Sequence, residues 1–339
     1  MAALSGRPLL VLGMHRSGTS SFVGLAARLG AALGSDLLEE NEFNPRGYGE
    51  HRGVVAIHDR FLASQGLRWD DPRRPGDFEG AAADEARRAL RELLLREFAD
   101  APLFALKDPR LCRLLPLWAP LWGELGVAPA YAIVLRHPLE IAGSLARRDG
   151  LDPAASHLLW LEHSLAAESQ TRGAARCFVR YDELFSGWRA LAKRVAADCR
   201  LAWPRDPEEA ASEVEAFISG DLRHHRVANA WPEGEAARFP WIAALHTELE
   251  ALAERGGAPE GAVVLDRISR AAAAAQALYA PAVGSALGRA ARLDAERREA
   301  EKAARRAERT RDALAASPSL WLRTFLRLRL GRGGGAPDA

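Results

Sequence analysis

Cysteine is scarce in this sequence: Cys112, Cys177 and Cys199 are the whole supply. They lie too far apart for a disulfide framework or for the close ligand pairs of a structural zinc site. Such usage fits a reducing compartment. Long hydrophobic runs are also missing. The apolar stretch Leu9 to Gly13 is far shorter than a signal-peptide core or the ~20 residues that span a bilayer. Neither sign of charge dominates, since 46 Lys and Arg face 45 Asp and Glu for a net +1. That balance argues against nucleic acid as a partner, and any anion site must be local. What is present is 48% hydrophobic and 27% charged residues over 339 positions, the profile of a globular chain large enough for one sizeable domain and an appendage. The expectation is a protein made and kept in the cytoplasm, and its alanine and arginine richness suggests a high-GC bacterial gene.

The first apolar run, Pro8 to Gly13, reads as a buried parallel strand, and Thr19 to Leu29 then carry Phe22, Leu25, Ala26 and Leu29 at helical spacing. Runs of the same kind follow at Leu103 to Lys107, Ala130 to Arg136 and Arg176 to Tyr181, separated by helical segments. This alternation predicts an α/β fold of three layers, a parallel sheet with helices on both faces. Gly34 to Pro75 is rich in Gly, Pro, Asn and Asp and reads as loops over the site, and Ala81 to Phe98 as an amphipathic helix. Leu287 to Ala316 holds nine basic and six acidic residues among alanines, a solvated helix that makes at most a weak coiled coil. The expected domains are 1–285 for the α/β body, 286–317 for the charged helix and 318–339 for a basic apolar segment with a flexible tail.

The strongest local signal is Gly13-Met14-His15-Arg16-Ser17-Gly18-Thr19-Ser20. It joins a strand to a helix start, where backbone N–H groups and the helix dipole converge on an anion. A nucleoside triphosphatase loop would place lysine after the second glycine. Here Thr19 holds that place and the cation, Arg16, comes two residues before the glycine.

Arg-Ser-Gly-Thr-Ser in the first loop resembles the phosphosulfate-binding loop of sulfotransferases that use 3'-phosphoadenosine-5'-phosphosulfate. The resemblance extends to Arg136 at a strand end with Ser144 eight residues on, and to Arg180-Tyr181-Asp182-Glu183-Leu184 after the fourth strand. It covers approximately residues 8 to 230. It implies that His15, Arg16, Ser17, Gly18, Thr19 and Ser20 cradle the phosphosulfate, that Arg136 and Ser144 grip the 3'-phosphate, and that Tyr181 lies by the adenine. Pro138 suits a first helical turn, and the arginine fork suits phosphate. The chain has Ser21 where the family has tryptophan, and the glycine-rich nucleotide loop of the animal cytosolic enzymes is not evident.

Sulfuryl transfer needs in-line placement and neutralised oxygen charge, so cations and N–H donors dominate and no metal is required. Arg16 and Lys107 are the candidate cations, Lys107 because it closes its strand where the family often has a lysine. The general base is expected to be Glu50, in Asn44-Pro45-Arg46-Gly47-Tyr48-Gly49-Glu50, which resembles a stretch found in many bacterial relatives; Glu39, Glu40, His51 and Asp108 are the other candidates. The histidine base of the animal enzymes falls on Pro109 and is absent. His224 and His225, in Arg223-His224-His225-Arg226, read as a solvated helix end or as a basic cluster that covers the nucleotide or contacts an anionic acceptor, rather than as a metal site. Leu320 to Arg332 mixes bulky apolar residues with arginine, which suits docking at a membrane surface or on a partner protein. The combined expectation is a sulfotransferase acting on an acceptor hydroxyl, on a carbohydrate or glycoconjugate by preference. The competing readings are a P-loop kinase or triphosphatase, and a non-catalytic scaffold that binds a nucleotide or glycan.

Overall fold

The computed structural model describes residues 4–40, 47–218, 231–232, 234–256, 262–316, 319, 322–323 and 325–326. Its first half runs β1 (Arg7–Leu12), α1 (Thr19–Arg28), α2 (Arg52–Ser64), α3 (Gly80–Phe98), β2 (Leu103–Lys107), α4 (Leu111–Leu125) and β3 (Ala130–Leu135). Next come α5 (Pro138–Asp149), α6 (Pro153–Gln170), β4 (Arg176–Arg180), α7 (Glu183–Ser186) and α8 (Trp188–Asp198). The described chain closes with α9 (Ala211–Ile218), α10 (Glu235–Arg238), α11 (Pro240–Glu254) and α12 (Ala262–Ala316). The four strands form one parallel sheet in the order β2-β1-β3-β4.

Side chains alternate across this sheet, and both faces are covered, which is why the strands read as continuous apolar runs. Leu10, Leu12, Phe104, Leu106, Ile133 and Phe178 point into one core, with α2 to α6 and α11. Leu9, Val11, Ala105, Ala132, Val134 and Val179 point into the other, with α1, α8 and α9. The three-layer α/β expectation therefore holds.

Two sequence expectations change. Gly34–Pro75 is not loop throughout, because α2 lies inside it and buries Val54, Ile57, His58, Phe61 and Leu62. That spacing is an apolar helix face, interrupted to the eye by a histidine and by the turn residues on either side. The charged C-terminal helix also begins earlier than residue 286. Leu265, Ile268 and Ala272 are buried, and Gln276 donates to the Pro72 carbonyl at 2.7 Å while accepting from the Arg74 amide at 3.2 Å.

Residues Met1–Gln276 form one compact unit and Ala277–Ala339 a second. In the second, ion pairs one turn apart, such as Arg298–Asp294 and Arg297–Glu301, support a solvated helix. Of the basic apolar segment, Leu322, Phe325 and Leu326 are exposed, and most of its remainder falls outside the described residues. No helix among the described residues is long and apolar enough to cross a membrane.

Several histidines are buried in the larger core. His163 donates from Nδ1 to the Leu159 carbonyl at 2.7 Å, and burial, reinforced by Arg113, drops its pKa to about 3. Burial, then the neighbouring His137, drops His246 to about 4. The unfolded chain protonates these rings near pH 6.5 while the native state does not, so stability is complete above that pH and falls as the pH drops toward 4. Denaturant titrations from pH 7.5 to 4.5 should show a loss of about 1.4 kcal/mol per pH unit for each such histidine, and His246→Leu should flatten the slope.

Candidate active site

Parallel strands release their chain at one edge, and the loops that leave that edge bring the candidate residues together. The loop after β1 turns through Gly13–Gly18 into α1, whose first turn holds no acidic residue. Gly18 has φ +96°, and a Cβ there would strike the Tyr181 ring, so the loop lies flat against Tyr181. Arg16 is left-handed at φ 71°, a conformation that costs a non-glycine residue roughly 1–3 kcal/mol and clusters at functional sites. Ser17 is buried, and its Oγ meets no hydrogen-bond partner among the described residues; neither does His15 Nε2. An orphaned hydroxyl in a loop of this shape fits an anion better than it fits a mere turn.

Arg136 leaves the end of β3 and donates from a terminal nitrogen to the Arg16 carbonyl at 3.0 Å. Its guanidinium lies 4.7 Å from the Tyr181 ring centre, and Tyr181 is held to β3 by its amide on the Leu135 carbonyl at 2.9 Å. Ser144, on α5, accepts from Arg16 Nε at 2.8 Å. His137 and Pro138 start that helix, the histidine Nδ1 accepting from the Leu139 amide at 3.3 Å. Arg16 holds its proton less firmly than an arginine ordinarily does, through burial first and then the nearby Arg148 and Arg136. Arg136 and Arg148 each also meet a carboxylate at 2.7 Å, Glu140 and Asp149 respectively.

Lys107 ends β2 level with Val11 of β1. Its Nζ donates to Ser20 Oγ at 3.1 Å and to Glu50 Oε1 at 2.5 Å, and each of these two charged residues is only 5% exposed. Glu50 therefore pairs with Lys107 rather than with Arg52, which meets Asp36 instead; Arg46 falls outside the described residues. Glu39 and Glu40 sit on the preceding loop, and His51 caps α2 by accepting from the Gly53 amide at 3.1 Å.

Asp108 does not stand at the mouth of the site. It is completely buried, with Oδ2 2.7 Å from His58 Nδ1 and Oδ1 2.9 Å from an Arg110 terminal nitrogen. His58 Nε2 accepts from the Trp118 indole at 2.9 Å, so Nδ1 carries the proton toward Asp108. Burial alone would raise the Asp108 pKa, but Arg110 and then His58 outweigh it and hold the carboxyl far below its ordinary range. Asp59 completes the network with 2.7 Å to Arg110 Nε. Asp108 thus anchors a buried network of His58, Arg110, Trp118 and Asp59.

The sequence reading missed Glu140, Arg148 and Trp69. Glu140 takes Arg136 Nε at 2.7 Å, and its signal was the four-residue spacing from Arg136. Trp69 packs on His15, ring centres 4.4 Å apart, with Arg148 5.8 Å over its ring; nothing local in the sequence announces that meeting. His224 and His225 lie outside the described residues. Among the described residues no group of three His, Cys, Asp or Glu is placed to hold a metal ion.

No protein-family model matches the chain, and no curated protein matches it. Solved structures do. The sulfotransferase domain from the Synechococcus PCC 7002 olefin synthase is 18% identical over 65% of this chain and 80% of its own, with a TM-score of 0.38. The sulfotransferase domain from the curacin biosynthetic pathway is 13% identical over 66% of this chain and 82% of its own, with a TM-score of 0.37. Both are sulfotransferase domains.

Replacing Asp108 with asparagine should leave His58 and Arg110 facing an uncharged partner in a dry interior. A loss of about 3–5 kcal/mol is expected, read as a fall in the urea midpoint with an unchanged slope.

Proposed function

We propose that this chain is a sulfotransferase that moves the sulfuryl group of 3'-phosphoadenosine-5'-phosphosulfate to an acceptor hydroxyl. The observation that carries the reading is the mutual contact of three separated sequence signals: Arg16 reaches Ser144, and Arg136 reaches the Arg16 carbonyl. Cations and a hydroxyl from distant segments converge beside a loop whose Ser17 hydroxyl is buried and lacks a partner among the described residues. This donor set fits a nucleotide carrying phosphate at two places.

In this reading the loop from His15 to Ser20, with its amides and the Ser17, Thr19 and Ser20 hydroxyls, takes the 5'-phosphosulfate. Arg136 and Ser144 take the 3'-phosphate, and the Tyr181 ring takes the base. Arg16 and Lys107 face the oxygens of the moving group, where fixed positive charge counts most because it needs no reorganisation. Glu50 removes the acceptor proton. Its contact with Lys107 puts base and cation at one point, so a hydroxyl reaching Glu50 also reaches the charge that stabilises the transfer.

The acceptor is proposed to be a carbohydrate hydroxyl. Trp69, Tyr48 and Arg148 stand around Arg16 and His15, and aromatic faces beside charged donors suit a ligand with apolar faces and polar edges. A kinase is disfavoured because Thr19 stands in the place of the loop lysine and the nearby acid, Asp108, is locked between His58 and Arg110.

Calorimetric titration with 3'-phosphoadenosine-5'-phosphate, 5'-AMP and ATP with magnesium tests the donor. Binding of the 3'-phosphorylated nucleotide alone is expected, weakened about 10- to 100-fold by Arg136→Ala and less by Ser144→Ala, as charged hydrogen bonds of about 1.5–3 kcal/mol imply. Preference for ATP with magnesium would overturn the reading in favour of phosphoryl transfer, and absence of all binding would favour the scaffold. Glu50→Gln should keep nucleotide affinity while transfer of labelled sulfate to a glycan panel falls about 10²- to 10⁴-fold.

A further inference from the structure

Arg136 does not wait for phosphate with an open fork. Its Nε donates to Glu140 Oε2 at 2.7 Å, and both side chains are nearly buried. Glu140 lies in the first turn of α5, with its amide on the His137 carbonyl at 3.0 Å. Ser144 follows one helical turn later, and residues so spaced share a helix face. The carboxylate therefore already occupies Arg136 Nε, one of the donors assigned to the 3'-phosphate, and lies one helical turn before Ser144.

We infer that Glu140 is the resident counter-ion of Arg136, which the 3'-phosphate of the donor must displace or face, and that its charge sets how strongly the site selects 3'-phosphorylated nucleotides. The inference rests on the sulfotransferase reading. It follows from charge and position. Arg136 and Arg16 lie close enough to repel one another, and an Arg136 left without an anion would leave that excess of charge unopposed. Glu140 balances that excess, and so keeps Arg136 against Tyr181 and the Arg16 carbonyl. When a phosphate arrives, the same carboxylate becomes a like charge within reach of the anion, and part of the binding energy goes into overcoming it. Glu140 is thus a specificity-determining residue that weakens donor and product together, which lets a doubly phosphorylated product leave. A purely local role also exists for a carboxylate at this place, since the first turn of a helix favours negative charge. That role acts on stability and treats all nucleotides alike.

The test is the ratio of affinities for 3'-phosphoadenosine-5'-phosphate and 5'-AMP, measured by calorimetry on the full chain and on Glu140→Gln. Glutamine still accepts from Arg136 Nε while losing the charge. Glu140→Gln should bind the 3'-phosphorylated nucleotide about tenfold more tightly, with 5'-AMP affinity unchanged. Glu140→Ala, read in the same way, covers the case in which the glutamine variant does not fold. An unchanged ratio, or weaker binding of the 3'-phosphorylated nucleotide, would overturn the inference and leave the sulfotransferase reading intact. A parent chain that does not distinguish the two nucleotides would overturn both. If neither variant folds, Glu140 is a folding element and the inference fails.

Discussion

Asp108 carries its charge where no water reaches it, and the arrangement of the whole site follows from how that charge is met. His58 comes from α2, Arg110 from the start of α4, and Trp118 from within α4. One carboxylate thus ties the end of β2 to two helices that pack on the same face of the sheet. An isolated buried charge is intolerable, whereas a paired and hydrogen-bonded one enforces a single geometry. The residue directly before it is Lys107. Fixing Asp108 fixes the exit direction of β2, and so sets Lys107 against Ser20 on one side and Glu50 on the other.

Around the loop after β1 the charges are mostly cations. Arg16, Arg136 and Arg148 gather there, Arg136 held by Glu140 and Arg148 by Asp149, and Arg16 adopts a left-handed backbone to take part. Such crowding is unfavourable for folding alone, and strain of this kind persists where the surrounding fold over-determines it. A parallel sheet with both faces covered provides that rigidity. Its edge residues cannot drift apart without disturbing Leu10 and Ile133 in one core and Val11 and Val134 in the other.

Much of this was legible in the order of residues. The strand runs, the glycine-bearing loop, the helix start at Pro138, and the spacing of Arg136 and Ser144 are local patterns, and each appears at its place in the fold. The helix α2 was hidden because its buried face includes His58, a polar residue whose burial depends on Asp108 50 positions away. The beginning of α12 was hidden for a similar reason, since Gln276 is buried only because it holds the backbone of Pro72 and Arg74. Polar residues count against burial when read alone, and only their distant partners reverse that.

The sequence by itself determined the alternation of strands and helices, the edge at which the loops emerge, and the kinds of side chain those loops carry. Those features depend on neighbours within a few positions, through apolar period, turn chemistry and capping. Only the tertiary structure decided which charges meet. Glu50 joined Lys107 across 57 positions, Arg16 joined Ser144 across 128, and Asp108 withdrew into the core although its neighbour Lys107 stayed at the site. An ion pair has no period and no preferred separation along the chain. Its partner is settled by which backbones the packed cores bring within a few ångströms and by how little water remains between them.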